Sequence, residues 1–229
     1  MATEIRELTF LLAKPEKKVL RAIAGRIPEP INSDHLTLLG VLASLLTGLA
    51  YAMTRYDPVW FWVASLGLFL NWFGDSLDGT LARVRRAERP KYGFYLDHAV
   101  DGLSILLVGL GIGLSGFVGL EWALAMVTMY LLLSINVYLE TLAYGRFDIS
   151  YGKIGPTEAR IILIGVNTVM AFEGARISAG FLNPVFIVGV TGMFLMLSVR
   201  FYQNLKKLAS LDPPVRRVKE PLDFWMEEK

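Results

Sequence analysis

The chain has 229 residues, 54% of them hydrophobic and 19% charged, with a formal net charge of +2 and no cysteine. That balance is too apolar for an ordinary soluble domain. It leaves no disulfide framework or thiolate chemistry, and it gives no electrostatic case for a nucleic-acid partner.

Residues 4–28 interleave Glu4, Arg6, Lys14, Glu16, Lys17, Lys18, Arg21 and Arg26 with Leu8, Phe10, Leu12, Val19, Leu20 and Ile23. No clean apolar stretch with a small-residue cleavage site is present, so this is not a secretory signal. The pattern predicts an amphipathic helix lying in the membrane interface, within a juxtamembrane segment spanning 1–35. Asn32-Ser33-Asp34-His35 reads as a helix cap, with His35 a part of it.

Six apolar stretches follow, at 36–54, 59–77, 98–118, 122–144, 158–178 and 181–203. Each is close to the roughly 20 residues needed to cross a bilayer, and lipid permits such spans only as helices. Turn signals part them: Asp57-Pro58, Arg89-Pro90, Gly145, Gly155-Pro156 and Asn183-Pro184. The expected fold is therefore all-α. It is an integral membrane bundle of six transmembrane helices over 36–205, preceded by the interfacial helix and followed by a tail at 206–229. Gly109, Gly113, Gly116 and Gly119 predict close helix packing inside the bundle.

Lysine and arginine fall on alternate sides of these spans. One side collects six before residue 36, five in 83–91, three in 146–160 and seven from 200 onward, which leaves only Arg55 and Arg176 on the other. The asymmetry predicts that both termini are cytoplasmic. The ends of spans two, four and six and the starts of one, three and five then share that face.

The chemistry concentrates where span two ends and span three begins. Asp75 and Asp78 are three residues apart, and Asp97 and Asp101 are four apart. At about 100° per helical residue, each pair lies within about 60° on one face. A short basic loop makes the two spans antiparallel neighbours, so four carboxylates converge near the membrane boundary. Clustered anions there repel one another and resist desolvation. Hard divalent cations such as Mg²⁺ or Mn²⁺ relieve both costs, whereas two histidines and no cysteine argue against zinc. Gly79 and Gly93 leave room for a substrate to approach backbone. Arg83, Arg85, Arg86, Arg89 and Lys91 add positive charge suited to a diphosphate.

The run Asp75-x2-Asp78-Gly79-x2-Ala82-Arg83-x9-Gly93-x3-Asp97-x3-Asp101 resembles the full signature of the CDP-alcohol phosphotransferases, with all eight positions present. The six spans, the cytoplasmic termini and the preceding surface helix are similar to that family as well. The resemblance implies an enzyme of phospholipid synthesis that releases CMP while moving a substituted phosphate from a CDP-alcohol to a hydroxyl acceptor, one of the two being a lipid. It implies a pair of Mg²⁺ or Mn²⁺ ions on Asp75, Asp78 and Asp97, with Asp101 at the metals as general base. The cytidine side is expected near Asp78, Gly79, Ala82, Arg83 and Gly93, and the assembly is expected to be a homodimer. The compact chain points to a prokaryotic plasma membrane, with the active site cytoplasmic.

Outside the signature, His98 directly follows Asp97, an Asp-His pair similar to the choline and ethanolamine branch of the family. It is either a second catalytic group or a polar position facing the headgroups. Asn136 and Glu140 share a face of span four, while Glu158 and Arg160 open span five. Glu140, Glu158 and Arg160 are candidates for an acceptor or headgroup pocket. Glu158 alternatively serves the helix dipole, and Arg160 alternatively snorkels. Thr157-Glu158 loosely resembles the choline branch. Two other classes also set acids on membrane helices. An intramembrane prenyltransferase would carry two separated Asp-rich motifs and more spans. A cation transporter would place its acids along a path through the bilayer middle.

Overall fold

The structure, a computed structural model, describes residues 12–144 and 155–214. Among these the chain forms seven α-helices, one turn of 3-10 helix and no strand. The helices are α1 (Ala13–Ala24), α2 (Ser33–Met53), α3 (Trp60–Val84), α4 (Pro90–Leu114), α5 (Leu120–Tyr144), α6 (Pro156–Glu173) and α7 (Asn183–Leu211). Of these, α2, α4, α5 and α7 are long and apolar enough to cross a membrane, which makes this an integral membrane protein. α3 carries Asn71, Asp75 and Asp78, and α6 carries Glu158, Arg160 and Asn167, so both fall below that apolar content.

Helices α2 to α7 fall on the six expected spans, with shifted limits. α3 runs on to Val84, α4 begins at Pro90 rather than at residue 98, and α7 continues to Leu211 inside the expected tail. The expected limits followed apolar content, but a helix persists into water wherever its polar end is supported. Pro90 at the first helical position sets the start of α4. Asn32 and His35 cap α2 as expected. The Asn32 side chain accepts from the His35 amide at 3.1 Å, and His35 Nδ1 accepts from the Asn32 amide at 3.2 Å.

Backbone proximity organises the bundle. A Cβ on Gly74 would meet the Leu36 carbonyl and the backbone of Gly40, and one on Gly67 would meet Thr47. These pairings run in opposite directions along α2 and α3, so the two helices are antiparallel. On the other side of α2, a Cβ on Gly111 would strike the Gly48 backbone, and one on Gly48 would strike the Leu107 carbonyl. Gly109 and Gly113 face Val127, Leu120 and Ala123 of α5, so two of the four expected glycines pack internally, whereas Gly116 and Gly119 lie in the loop after α4, the first with nothing within 4 Å and the second against Glu121. Close approach of this kind is how helices associate in lipid, where no hydrophobic drive separates tail from side chain.

Buried polar pairs add to it. Tyr51 on α2 donates to Asn167 Oδ1 at 3.0 Å, and Asn167 Nδ2 donates to Ser65 of α3 at 3.2 Å. Asn71 donates to the Gly40 carbonyl at 3.1 Å and to Ser44 at 2.8 Å. α6 is thereby seated on α2 and α3. At the far end, Tyr51, Phe61, Phe117 and Met170 form an apolar cluster. The loop around Gly116 (φ +84) receives the Gly180 amide (φ +70) at 3.0 Å. α1 lays Leu20 and Ala24 against Leu36, Leu77 and Leu81, so the amphipathic helix packs on the bundle near the C-terminal end of α3.

Gly111→Leu should separate α4 from α2 and lower stability in detergent by about 2 kcal/mol or more. Gly165→Ala, where nothing lies within 4 Å, is the control. Equal thermal midpoints for the two variants would contradict the backbone seam.

Candidate active site

The end of α3, the start of α4 and the start of α6 meet at one end of the bundle. There the carboxylate oxygens of Asp75, Asp97 and Asp101 lie within 4.8 Å of one another, each residue half-buried. Arg160 of α6 closes the group, its Nη2 2.8 Å from Asp75 Oδ2. Its side chain is only 16% exposed, so the pair is partly desolvated and stronger than a surface ion pair. One guanidinium thus faces three carboxyl groups. The donor set is all hard oxygen, which fits Mg²⁺ or Mn²⁺ better than softer metals.

Asp78 is on the same stretch of α3 but makes a different set of bonds. One oxygen accepts from Thr37 Oγ1 of α2 at 2.6 Å, and the other accepts from the Gly79 amide at 2.5 Å. Three of the four signature aspartates are therefore brought together, and the fourth is held beside them by α2. Arg83 lies over Gly79, where an added Cβ would sit 3.4 Å from its guanidinium, and it donates to Thr80 at 3.3 Å. Gly93 has open space around it. Gly79, Ala82 and Arg83 lie in the last turns of α3, and Gly93 lies in the first turn of α4.

The basic loop is partly structural. The Arg85 guanidinium donates to the carbonyls of Ile31 at 2.5 Å and of Ile27 and Pro28 at 2.9 Å, fastening the α1–α2 linker. Arg89 pairs with Asp34, whose hydrogen bond raises the Arg89 pKa above its ordinary value. Sequence spacing gave no sign of the part played by Arg85, Asp34 or Thr37.

His98 stacks on Phe94 with centroids 4.2 Å apart and meets Tyr138 of α5 edge-on at 4.9 Å. Its Nδ1 is 2.7 Å from the Phe94 carbonyl and 3.8 Å from Asp97 Oδ2, so it stands at the edge of the acidic group. Of the three pocket candidates, only Arg160 joins the acids. Glu158 accepts from the Gly155 amide at 2.9 Å and the Leu12 amide at 2.8 Å, tying two chain segments together. Glu140 sits in the α5–α7 seam. There it accepts from Asn136 at 2.5 Å, Asn204 at 2.6 Å and Arg200 at 3.0 Å. A cleft of about 320 Å³, lined by Leu132, Leu139, Leu197 and Phe201 among others, adjoins that network.

Three carboxylates and one guanidinium thus gather at one end of an apolar helical bundle. The sequence profile of the CDP-alcohol phosphatidyltransferase family matches residues 31–203. The chain belongs to that family, and is by class a CDP-alcohol phosphotransferase. It is 30% identical over 194 residues to the archaetidylinositol phosphate synthase of Methanothermobacter thermautotrophicus, covering 83% of this chain and 92% of that protein. It is 27% identical over 188 residues to the enzyme of the same name from Pyrococcus horikoshii, covering 78% and 86%. Identity to human cholinephosphotransferase 1 is 27% over 157 residues, covering 65% of this chain and 38% of the human protein.

Asp97→Asn should weaken Mn²⁺ binding by about tenfold or more, through the loss of one charged donor, without lowering the thermal midpoint. Unchanged affinity by calorimetry would remove the three-aspartate cluster as the metal site.

Proposed function

We propose that this protein transfers a substituted phosphate from a CDP-alcohol to a hydroxyl acceptor at the cytoplasmic face of a prokaryotic plasma membrane. The observation that carries this reading is the convergence of Asp75, Asp97 and Asp101 within 4.8 Å beside Arg160. Asp75, Asp97 and Asp101 would hold Mg²⁺ or Mn²⁺, two ions in all, with Asp78 as the fourth donor of the motif. Bound metal supplies charge neutralisation for the diphosphate.

The remaining work falls to this chain's own groups. Asp101 takes the proton of the acceptor hydroxyl, whose oxygen then attacks the β-phosphorus. The bond from that phosphorus to the bridging oxygen breaks, and CMP leaves with that oxygen. Arg83, over Gly79, addresses the cytidine-side phosphate together with Ala82 and Gly93. Arg160 faces the polar co-substrate, while Glu158 holds the first turn of α6 that carries it. His98 orients a polar group at the edge of the site.

The membrane arrangement proposed is six spans, α2 to α7, with α1 at the inner interface. The support is the shared end of the basic loops, the packing of α3 on α2, and the seating of α6 on both with an apolar face left exposed. Apolar faces of α4 and α7 that stay exposed in the single chain, with Leu103, Phe194 and Leu195 among them, leave surface for lipid and for the second copy of a homodimer.

For substrates, near-complete coverage of the archaetidylinositol phosphate synthases and the arginine at the acids support a CDP-lipid donor with a phosphorylated polyol acceptor. The Asp97-His98 pair and the likeness to cholinephosphotransferase 1 favour a second reading, CDP-choline or CDP-ethanolamine with a lipid alcohol.

Purified protein in liposomes, given Mg²⁺ or Mn²⁺ and each CDP donor with its matched acceptors, should release CMP with one pair. Asp101→Asn should lower that rate by at least about 100-fold while keeping the fold. Wild-type turnover by the variant would remove Asp101 as base. Silence of the wild type across the panel would sink the reaction itself.

A further inference from the structure

Outside the acidic cluster, a single carboxylate oxygen takes three hydrogen bonds. Glu16 Oε1, on α1, accepts from Trp72 Nε1 at 2.7 Å, from Thr157 Oγ1 at 2.9 Å and from Ser76 Oγ at 3.2 Å. Trp72 and Ser76 belong to α3, and Thr157 belongs to the first turn of α6. Those are the two elements joined by the Arg160–Asp75 ion pair. Ser76 is the neighbour of Asp75 in the chain, and Thr157 lies three residues before Arg160, about one helical turn away. The Glu16 bonds and the ion pair are thus two adjacent ties between the same two helices.

We infer that Glu16 is a positioning residue: through this one oxygen it fixes the first turn of α6 against α3 and so sets Arg160 in the acidic site. The reading rests on the proposed function, in which Arg160 faces the co-substrate. Asp75 is itself one of the candidate metal donors, so its bond to Arg160 alone is a poor anchor for α6. Glu16 supplies an anchor independent of the acids. The tie is reciprocal, since Glu158 of the same turn accepts from the Leu12 amide at the start of α1, at 2.8 Å. Leu20 and Ala24, packed on Leu77 and Leu81, hold α1 in place while Glu16 does this. A carboxylate accepting three hydrogen bonds is a strong, directional restraint, because charge-assisted bonds are about twice as strong as neutral ones. α1 is by this account part of the active site and not only a membrane anchor.

The cysteine-free chain allows a test by paired spin labels on Lys17→Cys and Ile161→Cys, read in nanodiscs as dipolar broadening by continuous-wave EPR. Acceptor KM and kcat for CMP release are measured in parallel. Glu16→Gln should reduce the broadening and raise the acceptor KM by about tenfold, with kcat changed less. Glu16→Asp should restore part of both. In an Arg160→Ala background, Glu16→Gln should add little, as expected when one residue acts through the other. Leu20→Ala, which loosens α1 by packing alone, should not reproduce that dependence on Arg160. Unchanged broadening in Glu16→Gln would overturn the inference. So would reduced broadening with an unchanged KM, or losses that multiply with Arg160→Ala. A wild type that releases no CMP would strike the proposed function instead, and the broadening would then decide the Glu16 tie alone.

Discussion

Three carboxylates gathered within 4.8 Å at the end of an apolar bundle repel one another when charged, and much of that end of the protein is arranged around them. In water such a cluster would be screened. Half-buried in the protein, the three acids feel a lower local dielectric, so mutual repulsion and desolvation both grow. Arg160 answers part of the charge from α6, and Arg83 stands close by over Gly79. Thr37 and the Gly79 amide satisfy Asp78, so that the fourth acid is held by hydrogen bonds in place of a cation. In the proposed function, that cluster of hard oxygen donors would hold divalent metal and, through it, the diphosphate.

That arrangement is possible only because α2, α3 and α4 approach one another at backbone distance. The Gly40–Gly74 and Gly48–Gly111 contacts remove the side chains that would hold the helices apart, and Asn71 ties α3 to α2 within the same seam. With α3 and α4 both gripped by α2, the i,i+3 and i,i+4 aspartates face each other rather than lipid. α6 arrives from the other side, seated by Asn167 in mid-bundle and by Glu16 at its first turn. Packing in the apolar interior thus sets the geometry of the polar end.

The sequence carried the site in proportion to how local it is. Asp75, Asp97 and Asp101 were legible because helical spacing alone puts each pair on a face, and a short loop makes the faces neighbours. His35 as a cap and the internal use of Gly109 and Gly113 were legible for the same reason. What escaped depends on partners far along the chain. Thr37 meets Asp78 across 41 positions, Arg160 meets Asp75 across 85, and Glu16 meets Thr157 across 141. No local pattern encodes such pairings. Glu140 and Asn136 were rightly read as sharing a face, but their partners Arg200 and Asn204 place that pair in the α5–α7 seam. Helix limits were misjudged wherever polar helix continues beyond the apolar core, as in α4 and α7.

The most direct measurement is the position of bound metal. Crystals of the protein grown with Mn²⁺ and CDP, examined by anomalous scattering, should place manganese among Asp75, Asp97 and Asp101, with the diphosphate reaching toward Arg83. Manganese elsewhere in the bundle, or CDP bound away from the α3–α4 junction, would contradict the account at its centre.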